Sequence, residues 1–167
     1  GVRLVGSEMC IRDRYDPAPV AGANAEQERI DIAGRGTYVL LQAASQAGIG
    51  RAVVASTVAL LDRYPDDYVV NESWKPQPDA QAESLAPLMS ELCAREFARQ
   101  GELCVVGLRF GALNGTDGTT EDHAAGALEE ALTMEVDQPG YLWYLYHVVS
   151  TGRFANRDNP LPLRASH

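Results

Sequence analysis

Ser56 and Thr57 stand side by side where an apolar run, Ala52 to Ala55, gives way to polar chain. Paired hydroxyls at the end of a buried strand can orient or protonate a polar substrate, because parallel sheets bind ligands beyond the carboxyl ends of their strands. The plainer use of such hydroxyls is to satisfy backbone groups where the strand stops. Arg109 closes a second apolar run, Leu103 to Phe110. A guanidinium there binds an anion or pairs with a carboxylate, and pairing is the expectation. Tyr64 and Tyr68 follow Thr57 closely enough to serve as a proton donor.

Three further groups are weighed and set aside. His147 lies in a tyrosine-rich run and is expected to be a hydrogen-bonded sheet residue rather than a catalyst. His123 falls near a helix start, where a cation is disfavoured, and is expected to be exposed. Ser56, Asp62 and His147 do not make a hydrolase triad, since no Gly-x-Ser-x-Gly elbow surrounds Ser56. No His, Cys or carboxylate set has metal-ligand spacing, and Cys93 and Cys104 read as small buried hydrophobes.

The elements that would position these residues alternate. A helix is expected over 25–47, entered through Asn24 and Gln27 and closed by Gly48, with Ile30, Ala33, Thr37, Leu40, Leu41 and Ala44 on one face. Gly34 and Gly36 inside it imply that another chain segment approaches that turn closely. Strand 52–55 follows, then a polar, proline-bearing loop over 62–78. The next helix is expected to start after Ser84, with Pro87 in its first turn, and to bury a stripe of Leu85, Leu88, Met89, Leu92, Cys93 and Phe97 before Gly101. Strand 103–110, a turn-rich stretch at 111–118, a helix over 120–134 and an aromatic strand over 141–149 complete the order. Helix, strand, helix, strand with this spacing predicts an α/β fold: a Rossmann-like parallel sheet with crossover helices.

Composition bounds the partners. The 167 residues suit one domain, and 14 Lys+Arg against 23 Asp+Glu give a net charge of −9. With no basic cluster, neither nucleic acid nor an anionic membrane is an expected partner. Three cysteines without a pairing pattern suit a reducing, cytoplasmic setting. The stretch Gly6 to Arg14, GSEMCIRDR, resembles a translated sequencing adapter. The expected organisation is therefore a non-native or disordered leader at 1–14, a partial Rossmann-like domain at 15–152 and an irregular tail at 153–167.

Over about Ile30 to Ser150 the chain resembles the NAD-dependent epimerases and dehydratases of the extended short-chain dehydrogenase/reductase family. Gly36-Thr37 with Leu40, Leu41 and Ala43-Ala44 resembles the family's helix motif. Arg51 to Ala59 resembles its strand ending in the active-site serine or threonine, with Thr57 in that place. Asn71-Glu72 and Pro76-Gln77-Pro78 resemble its acidic and proline loop, and Leu108-Arg109-Phe110-Gly111 its Leu-Arg strand. The resemblance implies NAD(P) as the family's cofactor, with Gly111 and Ala112 as contacts to it. It also implies a homodimer through helices 25–47 and 85–100.

The same resemblance exposes departures. The family's glycine-rich dinucleotide loop has no counterpart before Tyr15, so only the C-terminal part of the fold is expected, with the first βα units missing, an open apolar edge beside strand 52–55 and no bound cofactor. Gly34-Arg35-Gly36 and Gly48-Ile49-Gly50 do not replace that loop. The family's Tyr-x-x-x-Lys pair falls on Ala82 and Ala86, which can neither move a proton nor carry charge. Only Gly111 to Thr119 stands where the family closes over its sugar. The expectation is an epimerase/dehydratase-like protein that is catalytically deficient, a pseudoenzyme acting as a binding or scaffold subunit. The rival is a fragment of an active NAD(P)-dependent oxidoreductase or epimerase, acting on a sugar or nucleotide-sugar, with an unusual acid such as Tyr64 beside Thr57.

Overall fold

A computed structural model describes residues 9–12 (as backbone), 25–101, 103–116, 118–136 and 140–155. Four strands form one wholly parallel sheet in the order β1 (Met9–Arg12), β2 (Arg51–Thr57), β3 (Cys104–Phe110), β4 (Trp143–Val148). Parallel neighbours need long crossovers. They are supplied by α1 (Ala25–Asp31) and α2 (Thr37–Gln46) before β2, α3 (Ala82–Arg99) before β3, and α4 (Glu121–Thr133) before β4.

The two sheet faces bury different side chains. Val53, Val106, Leu108 and Tyr146 pack with Ala127 and Ala131 of α4. On the opposite face Ala52, Leu103 and Val105 pack with Leu41 of α2 and Ala94 and Ala98 of α3. The result is three layers, as the alternating elements predict. β3 is buried along nearly its whole length, in keeping with a central parallel strand covered on both sides. Arg51 ties β2 to α4 by donating from Nη1 to the carbonyl of Leu132 (2.7 Å) and from Nη2 to that of Met134 (2.5 Å). A cation at a helix C-terminus complements the last unpaired carbonyls.

Four sequence expectations change. The edge of β2 is not open: Met9–Arg12, within the expected leader, pairs with it in parallel. Unpaired N–H and C=O groups on a strand edge are a template for any extended segment within reach. The helix expected over 25–47 is interrupted by one π-turn, Ile32–Gly36. Its cause lies on α3. Met89 Cε sits 3.1 Å from where a Cβ on Gly34 would be, and Ser90 Oγ donates to the carbonyl of Ala33 at 3.1 Å. A side chain that takes over a helix carbonyl loosens the local ladder into the wider turn.

The start of α3 also differs, falling at Ala82 rather than after Ser84. Asp79 rather than Ser84 secures it: its Oδ1 accepts from the amide of Gln81 at 3.1 Å, while the carbonyl of Gln81 accepts from Ser84 and Leu85. Pro87 then sits past the first turn. Finally, the buried face of α3 is Ala82, Ala86, Pro87, Glu91, Ala94 and Ala98, not the expected leucine stripe. Small side chains let the helix lie close on the sheet. The longer ones splay to its flanks, where Phe97 meets Tyr38 at 5.6 Å between ring centroids and Leu92 is exposed.

Candidate functional site

The carboxyl ends of β2, β3 and β4 converge on one polar row. Ser56, Arg109 and His147 are register partners on adjacent strands, so their side chains share a face, the one covered by α3. Glu91 of α3 comes down onto that row. Its two carboxylate oxygens accept from Arg109 Nε (2.8 Å) and Nη2 (2.6 Å) in a bidentate pair. Oε1 also accepts from Ser56 Oγ at 2.5 Å. Arg109 is 2 % exposed and Glu91 4 %, so the pair is fully desolvated and its value depends on these hydrogen bonds. The expectation of a carboxylate partner for Arg109 holds.

The two hydroxyls at the end of β2 have separate employments. Ser56 is buried and commits its proton to Glu91. Thr57, on the other face, caps the short 3₁₀ turn Val58–Leu61 by accepting from the amide of Ala59 at 3.1 Å. Tyr64 packs edge-on against Trp74, with centroids 4.7 Å apart, and donates its phenol to the carbonyl of Lys75 at 2.8 Å. Tyr68 leans on the same indole and is about half exposed. Arg153 fastens this loop to the chain after β4, donating to the carbonyl of Tyr64 and to Asp66.

Ala82 and Ala86 are both buried on the inward side of α3. Gly111 and Ala112 form the first turn after β3. The Gly111 amide donates to Thr119 Oγ1 at 2.9 Å, and the Ala112 carbonyl accepts from both Gly115 and Thr119. Thr119 Oγ1 in turn donates to the carbonyl of Val148. These backbone groups are already satisfied within the turn.

His147 holds its place through its backbone, whose amide donates to Glu72 Oε1 at 3.0 Å. Burial pushes its imidazole down to about 4, against the opposing pull of the Glu72 charge; Arg109 pushes the same way as burial, while Glu91 and the Phe154 backbone oppose it. It is therefore neutral at neutral pH. His123 is exposed, as expected, with Nδ1 3.0 Å from Ser150 Oγ.

A dinucleotide needs a glycine turn running into a helix N-terminus. The described helices do not provide one. α1 opens with Glu26 and Glu28, α3 with Glu83 behind Asp79, and α4 with Glu121 and Asp122. Carboxylates at these positions repel phosphate, so the described residues do not fit the pyrophosphate. Among them, no group of three His, Cys, Asp or Glu could hold a metal ion, and no helix is long and apolar enough to cross a membrane.

Glu91 and Glu72 are the site residues that sequence reasoning missed. A signal for Glu91 was present: it lies four residues after Pro87 and three before Ala94, on the small-residue side of α3. Glu72 stood inside the acidic and proline loop, with nothing to show that it reaches the His147 backbone.

No protein-family profile matches this chain, and no curated protein matches it in sequence. Solved structures do match in fold. MoeE5 in complex with UDP-glucose and NAD is similar at 22% identity and a TM-score of 0.58, over 69% of this chain and 47% of that one. WbmH of Bordetella bronchiseptica, in complex with NAD+, is similar at 14% identity and a TM-score of 0.66, over 85% of this chain and 52% of that one. UDP-N-acetylglucosamine 4-epimerase from Bacillus cereus is similar at 20% identity and a TM-score of 0.63, over 87% and 59%. The chain thus spans about half the length of the structures it resembles.

Proposed function

We propose that this chain, which has the Rossmann-like fold of the NAD-dependent epimerases and short-chain dehydrogenase/reductase proteins, is an epimerase/dehydratase-like domain without competent acid–base chemistry. The observation that supports the reading is the pair Ala82 and Ala86, two buried methyl groups in the first turns of α3 where the resemblance expects a tyrosine and a lysine. A positioned acid and base contribute roughly 10²–10⁴ in rate, and alanine supplies neither. Ser56 is held by Glu91, and Tyr64 by the Lys75 carbonyl, so neither is free to replace them. Thr57 accepts from the Ala59 amide, and its hydroxyl is suited to contact a ligand rather than to drive proton transfer. The acidic helix N-termini further disfavour NAD(P) on the described residues.

Calorimetric titration of the chain with NAD is expected to show no binding at micromolar concentration. Incubation with NAD and UDP-glucose is expected to give no change in nicotinamide absorbance and no epimerised sugar. A micromolar Kd together with turnover that disappears in Tyr64→Phe would establish the rival reading, an active oxidoreductase or epimerase with an unusual acid.

The same reading assigns the outer faces of α1, α2 and α3 to a homodimer. Tyr38, Val39 and Leu92 are large apolar side chains exposed there, on helices already packed together. Exposed apolar patches of this kind mark interaction surfaces. Sedimentation velocity is expected to give a dimer that Val39→Asp converts to monomer. A wild-type monomer at tens of micromolar chain (roughly the range of a weak interface) would remove the assignment.

A further inference from the structure

The polar row at the strand ends is left with three unanswered groups. Arg109 uses Nε and Nη2 on Glu91, and its third nitrogen, Nη1, is buried without a partner. Beside it on β4, neither ring nitrogen of His147 is met by a well-formed hydrogen bond, the one nearby answer being a weak pull from the Phe154 backbone, on a residue only 8 % exposed. An unmet buried guanidinium N–H or imidazole nitrogen costs on the order of 1–3 kcal/mol. Such groups in native proteins are met by protein atoms or by internal water.

We infer that one internal water molecule bridges Arg109 Nη1 and the imidazole of His147. The chemistry of the row selects water over other ligands. Arg109 and Glu91 cancel in charge, His147 is neutral, and the remaining nearby charge is the Glu72 carboxylate, so the place carries no surplus positive charge for an anion. No third ligand completes a metal set among the described residues. What the row lacks is a neutral molecule that accepts and donates at once. Water accepts from the Arg109 Nη1–H and donates one proton to the unprotonated nitrogen of His147, leaving the imidazole proton on the other nitrogen. The bridge therefore fixes a single His147 tautomer. It also joins β4 to the β3–α3 pair through a polar contact that the sequence does not announce.

Two nuclear magnetic resonance measurements on the whole chain test this. Water-to-guanidinium cross-relaxation is expected to show a long-lived water beside the Arg109 side chain. Long-range nitrogen correlation is expected to show His147 as one neutral tautomer at pH 7. In His147→Phe, which keeps the edge-on ring contact with Phe154 (6.3 Å between centroids), the long-lived water signal is expected to vanish while the amide spectrum stays folded. A water signal that persists unchanged in His147→Phe overturns the bridge. So does a wild-type spectrum with no long-lived water at Arg109, or with the two His147 tautomers in rapid exchange.

Discussion

Replacing Glu91 by leucine is expected to destabilise the fold by about 3–5 kcal/mol, the largest effect of any single change in the polar row. Glu91 is the acceptor for three hydrogen bonds from two buried residues, Ser56 Oγ and the Nε and Nη2 of Arg109. Leucine fills a similar volume but leaves the guanidinium desolvated at 2 % exposure with no counter-charge. Breaking a buried pair from one side is costly for that reason, whereas removing both charges is not. The double variant Glu91→Leu, Arg109→Met is therefore expected to recover most of the loss, with coupling of about 2 kcal/mol or more between the positions. Urea unfolding of the four proteins measures the cycle. A Glu91→Leu cost under about 1 kcal/mol, the value of a surface pair, would show that bulk solvent reaches the row and that the pair is not a desolvated lock.

That lock explains why some of the architecture was legible in the sequence and some was not. The parallel sheet follows from runs such as Ala52 to Ala55 and Leu103 to Phe110, because strands covered on both faces can be apolar at every position. Gly48 and Gly101 mark helix ends because both adopt left-handed backbone, at φ of 73° and 79°. The face of α3 was misread because periodicity favours the largest apolar side chains. A helix lying close on a sheet buries its alanines instead and turns Leu92 outward. The π-turn at Ile32–Gly36 was foreshadowed by Gly34, but its cause, Ser90 and Met89 on another helix, is tertiary.

The candidate site divides in the same way. Arg109's need for a carboxylate is a local matter of burying a charge, and it could be anticipated from the residue alone. Which carboxylate answers depends on α3 crossing the sheet at Glu91, 18 residues earlier in sequence. Ser56 and Thr57 looked equivalent as neighbours. Strand alternation sends them to opposite faces, one into the lock and one to the 3₁₀ turn.

Acid is expected to weaken the fold through His147 before it reaches the carboxylates. The imidazole titrates at about 4 in the folded chain against an ordinary 6.5, because burial among β4, α3 and the Phe154 turn penalises its charged form. Glu72, Glu91 and Arg109 all act on it: Glu72 opposes the burial, Arg109 adds to it and Glu91 opposes it, without undoing the shift. Above pH 6.5 both states are neutral at this residue and the folded state keeps its full advantage. As pH falls from 6.5 towards 4 the unfolded chain takes up a proton that the folded chain refuses, so stability declines with falling pH, by about 3 kcal/mol across the window. Asp31 and Asp79 also titrate lower in the folded chain, through Arg35 and Ser84 respectively, but from an ordinary 3.8, so they act below this window. Urea midpoints measured at pH 7, 5.5 and 4.5 (about the span over which a shifted histidine responds) are expected to fall steadily in the wild type. The fall is expected to be largely absent in His147→Phe, which has no proton to gain in either state. A flat wild-type profile, or an equal decline in the phenylalanine variant, would place the acid sensitivity elsewhere and would mean that bulk solvent, beyond the single bridging water, reaches the ring.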